Sequence, residues 1–146
     1  MDIVLEAAPQ SETEVAIQLD PFSPNVVAIV PAAGIGSRMG AGKPKQYLTL
    51  LGQSILAHTL DKLLSHPQIN QVIVALHPED TEFAALPQAK HPKLVTVIGG
   101  SERADSVLAA LDKAPDNGWA LVHDAARPCL TAQDIDKLLA SRVHFP

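Results

Sequence analysis

Val26 to Lys45, reading VVAIVPAAGIGSRMGAGKPK, is the stretch that most restricts what this chain can become. Its first five residues are apolar and mostly β-branched. A run with no polar face predicts a strand covered on both sides, as in the middle of a parallel sheet. Glycines and alanines follow at once, and Gly34, Gly36 and Gly40 let the backbone turn tightly and approach a ligand. Amide N–H groups freed between a strand and the helix expected after it can bind phosphate oxygens. Arg38, Lys43 and Lys45 add three cations to a backbone that already favours anions, so a polyphosphate is the natural ligand.

Two familiar phosphate loops do not fit. Counting G-x-G-x-x-G from Gly34 and Gly36 puts Met39 at the third glycine position, with Gly40 one residue late. The Walker pattern fails because Gly42-Lys43 is followed by Pro44, and its first glycine would have to be Ser37. An ordinary Gly-rich turn would account for the glycines. It leaves Arg38 and Lys45 unexplained.

The 146 residues amount to one domain, large enough to bury a core. With 47% hydrophobic residues but only 3% aromatics, that core must be built from Val, Ile, Leu and Ala, which suits an α/β protein. The net charge of −5 is unevenly placed. Residues 1–25 contain Asp2, Glu6, Glu12, Glu14 and Asp20 with no Lys or Arg, whereas acids and bases balance over residues 26–146. A nucleic-acid surface is therefore not expected. Cys129 stands alone, which excludes an internal disulfide, fits a reducing compartment and reads as a small packed residue. No apolar run is of membrane-spanning length, and Met1-Asp2 opens without a basic segment, so the expectation is a cytoplasmic protein with no membrane partner.

Along the chain, residues 1–25 read as an acidic, flexible extension or a short added strand, with Val15-Ala16-Ile17 the only candidate for order. Strands are predicted at Val26–Val30, Val72–Leu76, Leu94–Ile98 and Ala120–Val122. Leu56, Leu60, Leu63 and Leu64 mark one helix, with His58 on its surface. Ala104, Val107, Leu108 and Leu111 mark a second helix, and Ile135, Leu138 and Leu139 a third. Residues 79–91, which include Pro87, read as irregular helix and loop. Thr131 with Asp134 three residues on has the pattern of a capping box. This alternation predicts a Rossmann-like, mostly parallel sheet with helices on both faces, spanning residues 26–146. Ligands in such folds sit beyond the carboxyl ends of the strands. Pro31, Gly99 and Asp124 fall there.

PAAGIGSRMG followed by KPKQYL resembles the nucleotidylyltransferase signature, and GGSERADSV with VHDAARP is similar to the 2-C-methyl-D-erythritol 4-phosphate cytidylyltransferase family. The resemblance starts at about Val26 and implies transfer of CMP from CTP to a polyol phosphate, 2-C-methyl-D-erythritol 4-phosphate, with Mg²⁺ and in a homodimer. Such a transfer gathers negative charge, so it needs fixed cations more than a protein nucleophile. The resemblance gives that task to Arg38 and Lys45; Lys43 is left facing solvent. It assigns Asp124 to the metal, although an Asp after a strand is as a rule a turn former. It places Arg127 near phosphates or acceptor and lets Ala32, Ala33, Gly34 and Gly36 meet the nucleotide. Gly100, Ser101 and Ser106 would read the pyrimidine and ribose. His123 reads as a packing residue, and Arg103 with Asp105 as a local ion pair or as ligand contacts.

The family implied by this resemblance continues beyond Phe145-Pro146. The later strands, an arm reaching a partner subunit, a second metal-binding acid and the basic residues for the acceptor would lie there, and the fold here is an incomplete nucleotidyltransferase. Two other readings stay open: a cytidylyltransferase for another polyol phosphate, and a truncated, non-catalytic nucleotide-binding or association module.

Overall fold

The computed structural model describes residues 3–6, 15–18, 26–34, 44–114, 119–126 and 131–141. Its central strand is the Val26 run, β3 (Val26–Ala32). Preceding it are β1 (Ile3–Glu6) and β2 (Val15–Gln18). After it come the two-residue strands β4 (Thr49–Leu50) and β5 (Gln53–Ser54), then β6 (Gln71–Leu76), β7 (Leu94–Ile98) and β8 (Trp119–Val122). The helices are α1 (Ile55–Ser65), α2 (Arg103–Leu111) and α3 (Ala132–Ser141). Residues 79–91 hold two short 3-10 turns, Phe83–Ala85 and Pro87–Lys90.

The main sheet runs β1-β2-β8-β3-β6-β7. β3 pairs in parallel with β6 on one side and β8 on the other, and β6 pairs in parallel with β7. The alternation of side chains along β3 divides the core in two. Val26, Ala28 and Val30 join Leu56, Leu60 and Leu63 of α1 and Ile135 of α3. Val27 and Ile29 face the other way, in a cluster with Ala110 of α2. All five β3 residues from Val26 to Val30 are at most 1% exposed, as a strand covered by helices on both faces requires.

β3 is two residues longer than the sequence predicts and takes in Pro31 and Ala32. Pro31 lies beyond the last β8 pair, Ile29 with Val122, so its missing N–H breaks no bond on that side. The acidic extension contributes β2, which covers Val15-Ala16-Ile17 and pairs antiparallel with β8. It also contributes β1, which the sequence did not single out.

Among the described residues after the glycine-rich segment, the first α-helix is α1, well beyond Lys45. A 3-10 turn at Lys45–Tyr47 and the β4–β5 hairpin intervene, and α1 starts only at Ile55, capped by the Ser54 hydroxyl, which accepts the Ala57 N–H at 3.1 Å. The hairpin turns through Leu51 and Gly52, both at positive φ (51° and 88°). That is the signature of a two-residue turn matched to strand twist. His58 is not a free surface residue. One ring nitrogen accepts from the Gln53 amide, so the other donates to the Leu50 carbonyl and ties the hairpin to α1.

α3 is held as its capping box predicts: the Asp134 N–H donates to the Thr131 hydroxyl and the Thr131 N–H to the Asp134 carboxylate, each at 3.1 Å. Buried His66 accepts the Gln68 N–H on Nδ1, so its Nε2 carries the proton and donates to Asp136 at 2.7 Å. No helix among the described residues is long and apolar enough to cross a membrane.

Two stability predictions follow from these contacts. Leu51 is 88% exposed in a left-handed conformation, so Leu51→Asn should stabilise by about 0.5–1 kcal/mol in urea unfolding, the gain from relieving that backbone with no burial lost; destabilisation would contradict it. Asp136→Ala should cost about 1 kcal/mol, because His66 keeps a buried donor without its acceptor, whereas Lys137→Ala nearby should stay within about 0.5 kcal/mol.

Candidate functional site

Three strands end at one place. Pro31, Ala32, Ala33 and Gly34 at the end of β3, Gly100 to Arg103 after β7, and Asp124 to Ala126 after β8 line a cavity of about 300 Å³, together with Lys45, Gln46 and Ser106. Parallel pairing puts the carboxyl ends of β3, β6 and β8 on the same edge, where crevice ligands bind in such sheets. Among the expected site residues, Ala32, Ala33, Gly34, Lys45, Gly100, Ser101, Ser106 and Asp124 all meet at this cavity. Gly36, Arg38 and Arg127 lie outside the described residues, as do Gly40, Lys43 and Cys129.

Lys45 is exposed at the cavity and opens the 3-10 turn. The two residues after it are buried and anchored. Gln46 Nε2 donates to the carbonyls of Ala32 at 3.1 Å and Gly34 at 3.3 Å. The Tyr47 hydroxyl donates to Asp80, whose other carboxylate oxygen accepts the N–H groups of Glu82 and Phe83. Burial, reinforced by the Asp80 carboxylate, raises the Tyr47 phenol well above its ordinary range, so it stays a donor at any physiological pH. Gln46 is the site residue that sequence reasoning missed. Its only signal was a polar side chain next to Lys45 in KPKQYL.

The β7–α2 junction depends on close approach. A Cβ on Gly99 would come within 2.5 Å of the Ser106 hydroxyl and 2.7 Å of Ala33, and one on Gly100 within 2.2 Å of the Asp105 Cβ. Buried Ser106 accepts the Gly100 N–H at 3.2 Å, so that N–H is used inside the protein and is not offered to a base. Asp105 accepts the Glu102 N–H at 3.3 Å and the Ser101 hydroxyl at 3.4 Å, and so serves the start of α2.

Asp124 forms the turn expected of an Asp after a strand and stands at the cavity. Its Oδ1 accepts the Ala126 N–H at 2.8 Å. The Thr59 hydroxyl, fully buried in α1, reaches the Ala125 carbonyl at 3.3 Å and fixes the same turn. No group of three or more His, Cys, Asp or Glu able to hold a metal exists among the described residues. One carboxylate whose second oxygen has no partner among the described residues suits Mg²⁺ that arrives with phosphate oxygens and water as its remaining ligands, which is how this ion commonly binds. His123 is buried and its N–H donates to the Ile29 carbonyl, in keeping with packing.

A second cavity, of about 400 Å³, lies across Gln46, Ala32 and Gly34 and is lined by His77, Glu79, Asp80, Thr81 and Glu82. It is larger, yet among the described residues it carries three carboxylates and no Lys or Arg, which makes it the poorer host for a polyphosphate.

A family model for 2-C-methyl-D-erythritol 4-phosphate cytidylyltransferase matches residues 26–144. The chain is 86% identical over all 146 residues to the protein of that name from Shewanella oneidensis, and 76% identical over 126 residues, or 86% of the chain, to that of Shewanella denitrificans. It spans 59% and 52% of the length of these relatives. The crystal structure of the Francisella tularensis 2-C-methyl-D-erythritol 4-phosphate cytidylyltransferase superimposes with a TM-score of 0.62 at 37% identity, covering 77% of this chain and 49% of that one. The convergence of the three strand ends on one cavity thus accompanies a match in sequence and fold, and the chain belongs to the 2-C-methyl-D-erythritol 4-phosphate cytidylyltransferase family.

Proposed function

We propose that this chain carries the CTP-binding part of an enzyme that transfers CMP from CTP to 2-C-methyl-D-erythritol 4-phosphate, giving 4-diphosphocytidyl-2-C-methyl-D-erythritol and pyrophosphate. The observation that supports it most is the placement of Lys45 at the cavity formed by the ends of β3, β7 and β8. In this reading an acceptor phosphate oxygen attacks the α-phosphorus, a new P–O bond forms, and the bond to the β-phosphate oxygen breaks. Charge builds on the departing pyrophosphate, and Lys45, with Arg38 from the glycine-rich segment, neutralises it there. Ala32, Ala33 and Gly34, with Gly36, present backbone to the nucleotide. Gly100, Ser101 and Ser106 shape the base and ribose end, and Arg127 contacts phosphates or acceptor. Asp124 would hold Mg²⁺, which when bound would screen the triphosphate oxygens. The family resemblance further suggests a homodimer, and the single cysteine suits the cytoplasm.

Pyrophosphate release by the whole protein, supplied with CTP, Mg²⁺ and a panel of polyol phosphates, tests this directly. Release with 2-C-methyl-D-erythritol 4-phosphate is expected. A preference for another polyol phosphate would overturn the acceptor, and CTP-induced thermal stabilisation with no release would overturn the reaction. Lys45→Ala and Arg38→Ala should each lower kcat roughly a hundredfold, with CTP affinity close to that of the unsubstituted protein. Weakened CTP binding with intact turnover would contradict their role. Asp124→Asn should raise the Mg²⁺ concentration needed for half-maximal rate, and an unchanged requirement would remove Asp124 from the metal.

A further inference from the structure

We infer that Gln46 is a positioning residue for the triphosphate: its side-chain amide engages the Ala32 and Gly34 carbonyls, whose negative ends would otherwise be open to the phosphates. The inference rests on the reading of this cavity as the CTP site. An anion cradle made of backbone works through its N–H groups, and every unengaged carbonyl in it repels the ligand. Ala32 and Gly34 both line the cavity, and both give their carbonyl oxygens to one nitrogen, Gln46 Nε2.

The chemistry fixes the orientation of the amide. Two carbonyl oxygens face it, so the group toward them must be the NH₂ with its two donors; the amide oxygen would meet only acceptors there. Gln46 is 7% exposed, and an amide buried to that degree is costly unless bonded. The peptide plane carries the effect further. The Ala32 carbonyl and the Ala33 N–H belong to one trans peptide and point in opposite directions, so holding the first aims the second. Ala33 also lines the cavity. The residues on either side of Gln46 make the anchor local: Lys45 stands at the cavity, and Tyr47 is fastened to Asp80. One buried amide thereby couples the end of β3 to the segment bearing the catalytic lysine, across 12 and 14 positions of sequence.

The test compares CTP and CMP binding to the whole protein and its Gln46→Met and Gln46→Glu variants by calorimetry. Methionine keeps the length and removes both donors; glutamate keeps the shape and sets a carboxylate against the two carbonyls. Both variants should bind CTP about tenfold or more weakly while CMP affinity stays within about twofold, because only the longer phosphate chain meets the freed carbonyls. Equal losses for CTP and CMP would mean general damage to the fold and would overturn the inference, as would unchanged CTP affinity. Failure of the unsubstituted protein to bind CTP at all would instead overturn the proposed function. If neither variant folds, hydrogen exchange in the unsubstituted protein decides. The Gln46 amide protons should be protected without nucleotide and remain so with CTP, and rapid exchange would show that they hold nothing.

Discussion

Parallel pairing of β3 with a strand on each side is the constraint from which the rest of the structure follows. A strand paired along both edges and apolar on both faces leaves no surface for solvent, so each face must be covered, α1 and α3 taking one and α2 the other. The same pairing brings the carboxyl ends of β3, β6 and β8 into line. The chain must leave each strand there. The loops that do so carry the glycines, the lysine and the aspartate that the sequence marks as special.

What converts a convergence of loops into a site is a small set of buried polar side chains. Thr59 reaches the turn that bears Asp124, Ser106 takes the Gly100 N–H, and Gln46 takes two carbonyls at the end of β3. Each of these is at most 7% exposed. Each also belongs to a different element from the loop it fixes. Buried donors and acceptors of this kind are costly when unpaired, so their partners are tightly specified, and the loop backbone inherits that specification. The cavity is therefore shaped from behind, by Thr59 and Gln46, which do not resemble ligand contacts in the sequence, and by Ser106, which does.

This explains which parts were legible in advance. Continuous Val and Ile runs, the leucine spacing of α1 and the Thr131–Asp134 cap are local signals, and the structure carries all of them. The gathering of the strand ends near Gly100 and Asp124 was legible from the parallel-sheet rule, and the resemblance singled out Lys45 among the cations beside them. The β4–β5 hairpin was hidden because its turn places Leu51, a residue with no preference for positive φ, where Asn or Gly would have announced it. β1 escaped because its pairing with β2 joins residues on opposite sides of an acidic, proline-containing stretch with no period of its own. Gln46 escaped because a glutamine announces nothing until the carbonyls it meets are in place.

The central claim is that the cavity at the ends of β3, β7 and β8 is a cradle for CTP. A crystal structure of the whole protein with CTP and magnesium tests it most directly. The account predicts triphosphate oxygens within hydrogen-bond distance of the Lys45 ammonium, the cytosine against Gly100 and Ser101, and magnesium held at Asp124. A nucleotide bound in the neighbouring acidic cavity, or a triphosphate that leaves Lys45 and Asp124 untouched, would contradict it.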